Sequence, residues 1–145
     1  MKKFHFNLQK LLNLRTFKES EAEIRLGKMI AAKDAIVLRL KAIAQQELQT
    51  KQIFNESKKL VSDLTTYEHY LSRLHKKKEL ELQMLAEAEL HIEQAREHYI
   101  TAHRDRLIIT KLYEKKEKYW KKDMAKQQEE ILGDMINSVR PYSIP

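Results

Sequence analysis

The chain has 145 residues, with 28 Lys+Arg against 21 Asp+Glu, a net charge of +7, two Gly, two Pro and no Cys. Average usage is about 7% Gly and 5% Pro, so sandwiches, barrels and Rossmann-type folds, which turn every 8–12 residues or so, are excluded. Glycine-rich cofactor loops go with them, and absent cysteine removes disulfides, thiolate catalysis and Cys-ligated zinc.

Met1-Lys2-Lys3 resembles the start of a signal peptide, but no continuous apolar stretch follows it. The longest uncharged apolar run, Ala35 to Leu38, is far short of the roughly 18 residues that cross a bilayer. The expectation is a soluble, cytoplasmic chain, consistent with the missing cysteines.

The first segment is densely apolar: Phe4, Phe6, Leu8, Leu11, Leu12, Leu14 and Phe17. Read as a helix, these residues wrap most of the circumference, which asks for burial on several sides. A single partner helix covers only one, so the segment asks for a second partner: a protein with a groove or ring, or a membrane surface. Lys2, Lys3 and Lys10 would suit acidic lipids.

Helix one is expected over about 4–57. Its apolar register reads Ala22, Leu26, Met29, Lys33, Ile36, Leu40, Ile43, Glu47, Thr50, Phe54. Spacings of three and four keep one stripe facing a partner helix. A break is expected at about 58–65, where small polar residues gather and compete with helical hydrogen bonds. Thr65 with Glu68 three residues on reads as a capping box.

Helix two is expected over about 66–138, with the register Leu85, Ala88, Ile92, Ala95, Tyr99, Ala102, Arg106, Ile109, Tyr113, Lys116, Trp120. Lys33, Glu47 and Arg106 interrupt the two stripes; such residues weaken packing but can fix register. The fold class is all-α, one antiparallel two-helix coiled-coil hairpin over 1–145, with a disordered tail at 139–145. At 1.5 Å per residue the helices would measure about 80 and 110 Å, so helix two should overhang from near Tyr119. That overhang carries Trp120, Met124, Ile131, Leu132, Met135 and Ile136, a stripe without intrachain cover.

Little chemistry is expected of such a chain, because a hairpin has no core in which to enclose a catalytic pocket. The histidines (His5, His69, His75, His91, His98, His103) make no pair four apart and no HExxH motif, so no metal site follows. Paired carboxylates such as Glu93 and Glu97 are expected to stay hydrated on an open hairpin, which leaves them as surface charge. No cofactor is expected. Basic runs at Lys76–Lys78 and Lys115–Lys122 suggest nucleic acid, but acids interleave them and no recognition signature accompanies them.

Phe4-x-Phe6-x-Leu8-x-x-Leu11-Leu12-x-Leu14-Arg15, followed by Glu19, Glu21, Ala22, Glu23 and Leu26-Gly27, resembles the opening of the flagellar export protein FliJ family. Tyr67-Glu68-x-Tyr70-Leu71-x-x-Leu74 is similar to that family's second-helix start, and Leu112 to Glu117 with Gln127 to Glu129 to its C-terminal helix. The resemblance implies a non-enzymatic component of the flagellar type III export apparatus, similar to the central stalk of rotary ATPases. It implies binding to the export ATPase FliI, promotion of ring assembly, contact with the export-gate protein FlhA, and escort of export chaperones. It implies a place at the cytoplasmic face of the flagellar basal body and inner membrane. By that analogy the ATPase-binding stem comprises Phe4, Phe6, Leu8, Leu11, Leu12, Arg15, Lys115, Lys116, Trp120 and Met124. The gate-binding tip comprises Tyr67, Tyr70 and Leu74.

Charge sharpens the pairing. Residues 79–97 carry six Glu against Arg96, and residues 25–43 carry Arg25, Lys28, Lys33, Arg39 and Lys41 against Asp34. A hairpin turning near residue 61 sets these stretches side by side. The unmatched positive charge collects at the stem, which predicts an acidic or anion-holding partner there. The competing reading is an adaptor that binds nucleic acid or an anionic membrane through this basic stem.

Overall fold

The computed structural model describes residues 2–56 and 61–139. Two helices, α1 (Gln9–Glu56) and α2 (Val61–Val139), pack against each other as an all-α hairpin with the second helix longer. Good helix formers fill both, and Gly27 and Gly133 lie inside them without a positive φ.

The chain divides into two compact units, each built from both helices. In the unit Ser20–Thr101, Ile36 and Ile43 of α1 and Leu74, Ile92 and Ala95 of α2 are buried. Ala22, Leu26, Met29, Lys33, Leu40, Glu47, Thr50 and Phe54 are half-buried, so every residue of the expected α1 stripe faces inward. Burying an Ile or Leu side chain contributes about 1.5–3 kcal/mol, and these five positions anchor the unit. The pairing is antiparallel and without slippage: Lys33 lies against Glu89 (4.0 Å), Arg39 against Glu81 (3.0 Å), Glu47 against His75 (3.9 Å), and Phe54 stacks on Tyr67 (4.0 Å between centroids). The first two contacts join the basic and acidic stretches that the sequence sets beside each other.

The unit Met1–Glu19 with Ala102–Pro145 holds the start of the chain against the last third of α2. Its start differs from expectation. Helix one begins at Gln9, not near Phe4, and the described residues before it form no helix. Phe4, Phe6 and Leu8 turn inward while His5 and Asn7 are exposed, an alternation with period two rather than 3.6. A straightened segment can turn both phenylalanines onto α2; a helix would have pointed them apart.

Two further differences concern α2. It is already helical at Val61, so Thr65 lies inside the helix and does not cap it. Asp63 in the first turn complements the positive helix end instead. Residues 57–60, which take in the expected end of helix one and the start of the expected tip, and residues 140–145 of the expected tail lie outside the described residues. Lys116, expected in the α2 stripe, is exposed; its ammonium sits 6.0 Å from the Phe6 ring centroid.

Candidate functional site

The stem residues come together in the unit holding the chain start. Phe6 is 3% exposed, and Tyr113 meets its ring edge-on with centroids 5.1 Å apart. Phe4 packs on the same tyrosine at 5.3 Å and on Trp120 at 5.8 Å. Leu8, Leu11 and Leu12 are half-buried. Arg15 donates from Nη1 to the Asp105 carbonyl oxygen at 2.9 Å, so its guanidinium serves the hairpin itself. Lys115 and Lys116 are exposed, while Trp120 and Met124 are half-buried. Of the residues expected to meet a partner, Phe6 and Arg15 are therefore committed inside the chain.

Two outward residues belong to the apolar start that asks for a second partner but not to the stem set. Leu14 is 49% exposed and Phe17 60%, both on α1 beside the stem. Their signal in the sequence was the wrapped apolar pattern itself: α2 covers one side of α1 and these two lie off it. Farther along α2, Ile131, Leu132, Met135 and Ile136 are all more than half exposed, as the uncovered stripe predicts. Its expected start is not uncovered: Phe4 packs on Trp120, and Trp120 and Met124 are half-buried. Gly133 does not end the helix, which continues to Val139.

A polar clasp closes the same unit. Arg106 donates from Nε to Glu19, and from Nη1 to Thr110 Oγ1 at 3.2 Å. His103 Nδ1 lies 3.5 Å from the other Glu19 oxygen. The Glu19 side chain is only 15% exposed, so this carboxylate is held within the seam by two α2 residues. The sequence marked Arg106 as a seam intruder without naming its partner; the antiparallel register supplies Glu19.

The tip residues play unequal parts. Tyr67 stacks on Phe54 with the rings 10° from parallel, and Leu74 is 4% exposed in the seam. Tyr70 is half-buried with the Arg73 guanidinium 5.8 Å from its ring centroid. Of the three, Leu74 is buried and the two tyrosines each keep part of their surface exposed.

Glu47 carries a resolved shift in proton affinity. The Lys51 ammonium, hydrogen-bonded to its carboxylate, holds its pKa below the ordinary 4.5, against partial desolvation; the charges of Lys51, His75 and Lys78 add to the lowering. This is a structural ion group between Glu47, Lys51 and His75. Among the described residues no group of three His, Cys, Asp or Glu is placed to hold a metal ion. Among the described residues no helix is long and apolar enough to cross a membrane.

A family model described as "Flagellar FliJ protein" matches residues 4–132. No curated protein and no solved structure matches the chain.

Proposed function

The chain belongs to the flagellar FliJ family, and from that premise we propose that it works in flagellar protein export by binding, as a stalk-like coiled coil. The stem of Phe4, Phe6, Leu8, Leu11, Leu12, Arg15, Lys115, Lys116, Trp120 and Met124 forms the end that docks in the ring of the export ATPase FliI and promotes its assembly. The tip around Tyr67, Tyr70 and Leu74 forms the end that reaches the export-gate protein FlhA, and export chaperones are further partners. The reading places the protein at the cytoplasmic face of the basal body.

The observation that carries the stem assignment is exposed apolar surface on both helices of the unit that holds the chain start. Leu14 and Phe17 on α1 and the stripe from Ile131 to Ile136 on α2 face solvent there. Exposed apolar patches of this kind mark interaction surfaces. Phe6 and Arg15 hold the unit's shape, and Leu14 and Phe17 supply the contact.

The test compares ATPase assembly and turnover with parent protein, with Leu11→Asp plus Leu12→Asp, and with Leu14→Asp plus Phe17→Asp. The last pair is largely exposed and leaves the hairpin folded, as far-UV circular dichroism checks. Both variants are expected to lose stimulation; full stimulation by both sinks the stem assignment. For the gate, Tyr70→Ala alone is the informative variant, because truncating buried Leu74 would loosen the seam. Undiminished capture of FlhA by Tyr70→Ala removes that site.

A further inference from the structure

In the unit Ser20–Thr101 the helix pair has two open sides, and its ion pairs mark which residues lie on each. Lys33–Glu89 and Glu47–His75 cross on one side. Residues three, four or seven away along either helix share that side. On α1, Ile30 and Val37 lie three and four from Lys33, and Leu48 lies three turns on from Val37. On α2, Leu71 and Leu82 lie four and seven from His75, Leu64 lies seven before Leu71, and Ile100 lies three turns on from Glu89. Exposure is 40% at Ile30, 59% at Leu48, 44% at Leu64 and Leu82, and 40% at Ile100. Arg39–Glu81 crosses on the opposite side, which carries Arg25, Lys28, Arg73 and Lys77 besides Leu80 and Met84. One side is thus an apolar row and the other is largely basic.

We propose that the apolar side is the docking surface for a second copy of this chain, related by a two-fold axis across the helices at Leu82. The argument is self-complementarity, which an isologous interface requires of one patch. Under that operation α2 lies antiparallel to α2 of the second copy and α1 to α1. Leu82 then meets Leu82, Leu64 meets Ile100, and His75 meets Glu89. On α1 the same axis falls beside Leu38, which sets Ile30 against Leu48 and brings Lys41 within one turn of Asp34. The centres on the two helices agree without adjustment, because Leu38 and Leu82 are already level in the intrachain register fixed by Arg39 and Glu81.

Charge selects this arrangement over the alternative. The row on α2 is basic toward its start (His75, Lys78) and acidic toward its end (Glu89, Glu93), so antiparallel copies pair opposite signs. A two-fold axis along the helices would instead set Lys41 beside Lys78 and Asp34 beside Glu89. Like charges directly opposed across an interface cost binding energy and reject that register. The pairing uses neither the stem nor Tyr70, so it stands apart from the function proposed above.

The absence of native cysteine makes the test clean. Leu82→Cys protein, oxidised at micromolar concentration, is expected to give a disulfide-linked dimer by itself. Ile30→Cys and Leu48→Cys are expected to cross-link chiefly in a mixture of the two. Leu80→Cys, on the opposite side, should stay uncross-linked. In sedimentation equilibrium the parent should approach the two-chain mass as concentration rises. Leu82→Lys should weaken association at least tenfold while retaining parental helicity, and Leu80→Lys should not. A parent that remains one chain at all concentrations overturns the proposal. So does cross-linking of Leu80→Cys as fast as Leu82→Cys, or of Ile30→Cys with itself as fast as with Leu48→Cys.

Discussion

Replacing Phe6 with Ala probes how the segment ahead of α1 is held. Phe6 sits 3% exposed between Tyr113 and the Lys116 ammonium. Truncating a core Phe costs about 3–5 kcal/mol, of which its edge-on aromatic contact supplies about 0.5–1.5. The segment has few other anchors: Phe4 on Tyr113 and Trp120, and the Gln9 N–H donated to the Phe6 carbonyl at 3.1 Å. The hairpin can therefore shed residues 2–8 instead of bearing the whole loss. A deficit of about 3 kcal/mol shifts the docked-to-released ratio by roughly a hundredfold or more. Trp120 is the chain's one tryptophan and touches Phe4, so its emission reports the segment directly. The expected result is a red-shifted, more readily quenched emission with unchanged far-UV helicity. Phe17→Ala, at a 60% exposed position, serves as the control that leaves emission alone. Unmoved Trp120 emission in Phe6→Ala would refute the reasoning, because the segment would then not be covering that ring.

Three other perturbations have defined outcomes. Arg39→Ala strands Glu81, whose Oε2 is buried without a hydrogen-bond partner and whose Oε1 loses Arg39; urea unfolding should show a loss of about 1–2 kcal/mol, more than an exposed pair gives, and a second change, Glu81→Leu, should recover it. Gly27→Ala meets nothing within 4 Å of the added carbon and should raise stability by about 0.5–1 kcal/mol, read as an increased melting temperature. Glu47 has a lowered folded-state pKa, so its stabilising contribution is present above the ordinary value of 4.5 and lost as pH falls through the folded value. The stability gap between parent and Glu47→Gln should accordingly be widest near neutrality and close in acid; a gap that widens in acid reverses the sign and the explanation.

The seam was legible because a 3–4 spacing has one geometric meaning in a glycine-poor chain. Even the intruders Lys33, Glu47 and Arg106 are half-buried, since their long stems pack while their charged ends find Glu89, Lys51 and Glu19. The start of α1 was misread for want of the right period. Phe4-x-Phe6-x-Leu8 alternates, which is the signature of an extended segment, but the leucines that follow made the whole stretch look helical. The capping pattern at Thr65 does not mark the helix start, because helix extends back to Val61. At the candidate site, the sequence located the apolar stem but not which side chains the hairpin consumes. Phe6 and Arg15 face inward and Leu14 and Phe17 outward, a distinction set by the exact phase against α2.

The antiparallel pairing also fixes the order in which the hairpin can close. Phe54 and Tyr67 are near neighbours in sequence, whereas Arg39 and Glu81 are 42 residues apart and Arg15 and Asp105 are 90 apart. Closing the widest of these loops directly costs about 1.7 kcal/mol more chain entropy than closing the shortest. Zipping outward from Phe54 and Tyr67 avoids that cost, since each formed layer shortens the next loop. Arg15, Glu19 and the aromatic contacts of Phe4 and Phe6 are then the last to form and the first to open. Amide exchange should rise steadily from Ile43 toward Leu11, so the residues proposed to meet the ATPase are those the hairpin releases most readily.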